Sequence, residues 1–156
     1  MLPRILRFVR LPLLLILIYA IGRFTLGLIG MPYAPRGNAV FSVMAVTLIS
    51  SFYWGALSGR VGGFSWVGAA LIGATLGLFS QILVFTATTL SYALNLNTYF
   101  VHWDALNVTE GTVVPMKQAL MSRAGGILFG PITAGVIALI GRALDVLAPG
   151  RQHSDY

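Results

Sequence analysis

The stretch NLNTYFVHWDALNVTEG, residues 95–111, brings an imidazole, His102, close to two carboxylates, Asp104 and Glu110. Such a trio could hold a divalent cation or work as an acid/base pair on a lipid at a membrane surface. A zinc site needs three or four ligands with supporting contacts, so one His and two acids on a loop fall short and no metal is expected. His153 lies near the far end of the chain, on the opposite side by the topology argued below. The absence of paired intramembrane His argues against a transmembrane b-type haem. With no Cys in the sequence, disulfides, thiolate metal sites and Cys nucleophiles are excluded. No phosphate-binding, dinucleotide, HExxH or GxSxG motif is present, and no cofactor is expected. Asn107-Val108-Thr109 matches a glycosylation acceptor, usable only in a secretory pathway.

Four further residues could do chemistry because of where they stand. Arg23 is the only charge inside an apolar run, where a cation costs roughly 2.5 to 3.5 kcal/mol at the bilayer centre. Its compensation could come from snorkelling to the interface, from Asp104 or Glu110 descending from the polar loop, or from an anionic ligand. Gln81 is the most polar uncharged side chain well inside a span, and lipid cannot satisfy its amide. An interhelical clamp to Ser or Thr is expected of it, with a substrate or pigment contact as the alternative. Trp54 and Thr88, the latter beside Ser91, complete the set of ligand or pairing candidates.

The elements that must position these groups are membrane helices. A composition that is 57% hydrophobic and 9% charged, with a mean hydropathy of +0.85, is far from that of a soluble domain. The net charge of +6 sits at the edges of apolar runs, as anchors do, so no nucleic acid is expected as a partner. The expected fold is all-α: one polytopic membrane domain over 1–156, with four spans at about 11–30, 39–58, 64–90 and 124–147. Arg4, Arg7 and Arg10 precede the first span; no small-residue cleavage site follows and Arg23 interrupts the run, so a retained anchor is expected rather than a signal peptide. MPYAPRGN and GRVGG supply breaks, and RAGG also reads as a helix end. The third apolar run exceeds one bilayer crossing and must tilt or protrude. Pro131 should kink the fourth span, and Pro149-Gly150 should end it.

With four spans both termini share a side. Arg4, Arg7, Arg10, Arg60, Arg142 and Arg151 would lie there, against Arg36, Lys117 and Arg123 opposite. The richer side is expected to be cytoplasmic, which places residues 92–123 outside as a partly structured loop lying on the membrane. Pro115 would open a short surface helix within that loop, and Tyr99, Phe100 and Trp103 would belong to an aromatic belt. Asp145 is spaced to pair with Arg142 at a helix end.

Small, hydroxyl and other polar residues form expected inward stripes: Thr47, Ser51, Trp54, Gly55 and Ser58; Gly73, Gly77, Ser80, Gln81, Thr88 and Ser91; Gly126, Gly130, Thr133 and Ala134; and Tyr19, Arg23, Gly27 and Gly30 on the first span. In lipid, close packing of such faces drives helix association. The functional expectation is a noncatalytic membrane subunit that assembles through these faces with other subunits or copies of itself, with lipid or pigment in its grooves. A small transporter or channel for an anionic or polar solute, using Arg23 and Gln81, is the alternative. A lipid enzyme built on the His102 loop comes third. The bacterial inner membrane is the expected location, with membrane lipids as partners.

Overall fold

The computed structural model describes residues 1–30 and 41–148; the expected stop at Pro149-Gly150, and His153, Arg36 and Arg151, lie outside them. Among the described residues the chain is helical, with no strand. Its helices are α1 (Leu2–Phe8), α2 (Arg10–Leu28), α3 (Val43–Arg60), α4 (Trp66–Ala93) and α5 (Met116–Leu147), with a single 3-10 turn at Tyr99–Val101.

Three of them, α2, α4 and α5, are long and apolar enough to cross a membrane, which marks the chain as a membrane protein. α3, expected as a span of the same kind, is not one of the three. At 18 residues it is only one shorter than α2, so polarity rather than length sets it apart. It also ends on Arg60 and carries Thr47, Ser50, Ser51 and Ser58 on its buried side. The exposed surfaces of all four long helices are nevertheless apolar, with Leu14 and Ile18 on α2, Ile49 on α3, Leu78 and Ile82 on α4, and Ile132, Val136 and Ile140 on α5. Such continuous exposed apolar faces are unsuited to water and suited to lipid.

Local chemistry fixes the helix ends. Ser42 and Ser65 cap α3 and α4, their hydroxyls accepting from the amides of Ala45 and Gly68. α4 stops in a Schellman motif: Asn95 takes φ +51, while Leu96 N donates to Ser91 O at 2.8 Å and Asn95 N to Tyr92 O at 3.3 Å. α5 starts directly after Pro115 and continues unbroken through Pro131. The surface helix expected at 116–123 is therefore the first part of the last long helix, and Gly125-Gly126 lies inside it rather than at an end. At about 1.5 Å per residue α5 is near 48 Å long and α4 near 42 Å, so both exceed the apolar core and must tilt or protrude.

The N-terminal residues are not a loose basic flank either. α1 places Ile5 and Val9 in the core with Ile16, Val46, Phe64 and Ile72. Arg4 lies over the Phe64 ring at 4.7 Å and donates to Gly62 O at 2.6 Å, and Trp54 Nε1 donates to Phe8 O at 3.1 Å.

The small-residue stripes do their packing inside the chain. On α4 and α5, which run antiparallel, a Cβ added to Gly77 would stand 2.5 Å from Gly130 O, and one added to Gly73 would collide with Ala134 O. On α3 and α5, which run in the same direction, Gly55 lies against the Ala138 backbone and Gly141 against Phe52 O. Backbones approach this closely only where no side chain intervenes. Among the described residues no buried hydroxyl bridges two of the long helices. Thr47, Ser51, Ser58, Ser80, Thr88 and Ser91 bond carbonyls of their own helix three or four residues back, the local satisfaction that Ser and Thr find within a helix.

Two ends of the bundle follow from these contacts. At one, Arg60 Nε lies 2.9 Å from Asp145 Oδ1 and Arg142 Nη1 lies 3.3 Å from Asp145 Oδ2, the spacing-based pair plus a third partner. Arg60 Nη2 also donates to the carbonyls of Asp145 and Ala148 near the end of α5. At the other end, loop 94–115 folds back over the helices.

Candidate cavity beneath the loop

That loop is pinned rather than loose. Ser91 Oγ and Thr98 Oγ1 share a hydrogen bond of 2.7 Å, Tyr92 Oη donates to Val114 O at 2.7 Å, and Leu106, Val114 and Ala119 form a small core of their own. The 3-10 turn is thereby held against the bundle, with Phe100 buried and tilted against Phe24.

The turn lies between two arginines. Arg23, only 6% exposed, sets its guanidinium carbon 3.6 Å from the centroid of the Tyr99 ring, and Tyr99 Oη makes a long hydrogen bond of 3.4 Å to Asp104 Oδ2. Arg123 Nη2 donates to Phe100 O at 3.2 Å, while its Nε is buried with no hydrogen-bond partner among the described residues. The loop does descend to the arginine of the first span, and an aromatic ring is what it brings to the contact.

Below the turn lies a cavity of about 500 Å³ between α2, α3, α4, α5 and the loop. Arg23, Arg123, Gln81, Thr47, Ser80 and Asp104 give it polar walls. Gln81 faces α5 across two glycines: a Cβ at Gly126 would stand 2.6 Å from its Oε1, and one at Gly130 2.5 Å from its Cγ. Among the described residues the expected clamp to Ser or Thr is not formed, because glycine is what α5 presents at that level and the nearby hydroxyls are spent on their own helices.

The remaining candidates are scattered. Trp54 holds the N-terminal helix at the other end of the bundle, and Thr88 is fully buried and bonded to Val84 O. Neither lines the cavity. His102 stacks on Tyr99 at 6.3 Å and tilts against Trp103 at 5.1 Å, part of an aromatic ladder on the loop. Glu110 is exposed, away from the cavity. His102, Asp104 and Glu110 do not converge, and among the described residues no three His, Asp or Glu side chains come together as a metal-ligand group.

Sequence reasoning missed Arg123 and Tyr99. The sequence counts Arg123 among the cations of the outer side, yet it shares a helical face with Gly126, Gly130 and Ala134, and that spacing is the signal that it points into the bundle. No family model, curated protein or solved structure matches the chain.

Proposed function

We propose that this chain is a noncatalytic four-span membrane protein, with both termini cytoplasmic, that binds an anionic ligand in the cavity beneath its outer loop. The observation that carries this is the meeting of Arg23, Arg123 and Gln81 around one space. Two guanidiniums and an amide supply convergent donors with no acceptor among them except the amide oxygen, which is the pattern that carboxylate and phosphate oxygens require. Among the described residues that line the cavity, the charged ones are Arg23, Arg123 and Asp104, so its walls carry a surplus of one positive charge.

Binding suits this arrangement better than conduction. α4 and α5 close on each other at Gly77 and Gly130 on the cavity's own wall, α3 and α5 close below it at Gly55 and Ala138, and farther down Arg60, Arg142 and Asp145 tie α3 to α5. Subunit assembly through small-residue faces has less to stand on, since those faces are occupied by the chain's own helices. α3 counts as the fourth span because it runs between the same two bundle ends as its neighbours, with lipid-compatible residues outward.

The test is gentle isolation in mild detergent followed by analysis of bound small molecules. The expected result is one anionic ligand per chain in wild type and its loss in Arg123→Gln and in Gln81→Leu. Recovery of the folded protein with no ligand, or with a ligand that both variants keep, would remove the basis of the proposal.

A further inference from the structure

The cavity's second property is its side wall. α3 and α5 meet backbone to backbone at Gly55 with Ala138 and at Phe52 with Gly141. Above those contacts the cavity lies between them, and the residues that line it there include Met44 on α3 and Phe129 on α5. Met44 is 69% exposed and Phe129 70% exposed, so each belongs both to the cavity and to the apolar surface that faces lipid. One side of the polar walls is thus bordered by apolar side chains that the cavity shares with the lipid-facing surface. On the loop side the cavity is lined by Asp104 and Tyr99, which share a hydrogen bond.

The geometry points to an anionic phospholipid as the occupant, its phosphodiester between Arg123, Arg23 and Gln81 and its acyl chain leaving between Met44 and Phe129. This rests on the anion-binding reading above and adds the source of the anion and its route. A phosphodiester with one negative charge matches the cavity's surplus of one positive charge, and its oxygens accept from guanidinium and amide donors together. A zwitterionic headgroup would carry a second, cationic end toward two arginines. A space of about 500 Å³ holds a headgroup comfortably, while the chains stay in the bilayer and need no room inside the protein.

Native mass spectrometry of the protein from nanodiscs holding equal amounts of phosphatidylglycerol and phosphatidylcholine tests this. Wild type should retain one phosphatidylglycerol per chain with at least about tenfold preference. Arg123→Gln and Gln81→Leu, checked for folding by thermal unfolding, should each lose most of that preference. Met44→Trp, which leaves the polar walls untouched and crowds that apolar border, should lower retention several-fold. Lys117→Gln removes an exposed cation of the same end and should leave retention unchanged. Equal retention of the two lipids, or equal loss in Lys117→Gln, would overturn the proposal. If inorganic phosphate stabilises the protein through Arg123 while neither lipid is retained, lipid entry falls and anion binding stands. If neither phosphate nor lipid binds through Arg123 and Gln81, both fall.

Discussion

The guanidinium of Arg23 and the ring of Tyr99 meet at 3.6 Å, a buried cation of α2 against an aromatic side chain of the loop after α4. A desolvated cation over an aromatic face is worth about 2 kcal/mol, enough to hold a loop in place and to offset much of the cost of an arginine within a span. Tyr99→Leu should therefore lower stability by about 2 kcal/mol, whereas Tyr99→Phe, which keeps the ring over Arg23 and removes the hydroxyl that reaches Asp104, should lose less than half of that. Thermal unfolding in mild detergent separates the two. Equal losses would mean that the hydroxyl, not the ring, seats the loop.

Close approach of α4 to α5 depends on glycine at position 77, where an added Cβ meets backbone at Gly130 and the methyl of Ala134. Backbone cannot swing aside as a side chain can, so Gly77→Ala should cost about 1 to 3 kcal/mol. Gly125→Ala, on the same helix as Gly130 but with open space around it, should be neutral or stabilising by up to about 1 kcal/mol. The same unfolding measurement compares them, and a neutral Gly77→Ala would show that the contact is looser than its geometry.

At the other end Asp145, its side chain 14% exposed, neutralises two arginines. Arg60 is 51% exposed and well screened, so most of the effect of Asp145→Asn should come from Arg142, whose Nε is buried without a partner. A loss of about 1 to 2 kcal/mol is expected, with Arg60→Gln costing less than Asp145→Asn. The reverse order would place the main tie at Arg60.

Much of this architecture can be read from the sequence where a rule acts locally. The Arg142–Asp145 pair follows from its spacing, and the glycine stripes on α4 and α5 follow from helical period and the packing needs of lipid-facing helices. What the sequence did not yield depends on distant partners. Arg123 looked like an interfacial cation because the last helix was expected to start at Ala124. Only its continuation from Met116 turns Arg123 toward Gln81. Likewise the loop that carries Asp104 reaches Arg23 through Tyr99, which is placed by the Ser91–Thr98 hydrogen bond and the Asn95 turn, contacts that no single residue's type announces.

Topology can be tested directly because the chain has no Cys. In intact cells an impermeant maleimide should label Glu110→Cys on the outer loop and spare Val61→Cys in the α3–α4 connection until the membrane is opened. Labelling in the opposite order would invert the proposed orientation, and equal labelling of both would place the two loops on one side.

The central claim is that the arginine-lined cavity binds an anion, and its most direct measurement is the anion-dependent shift in thermal unfolding of the purified protein. Inorganic phosphate, acetate and a short-chain phosphatidylglycerol, each against the same ionic strength of chloride, form the panel. At least one of the three should raise the melting temperature of wild type by several degrees and leave Arg123→Gln unmoved, since a ligand that binds only the folded protein stabilises it in proportion to its saturation. A flat response of wild type to all three, or an identical rise in Arg123→Gln, would contradict the account.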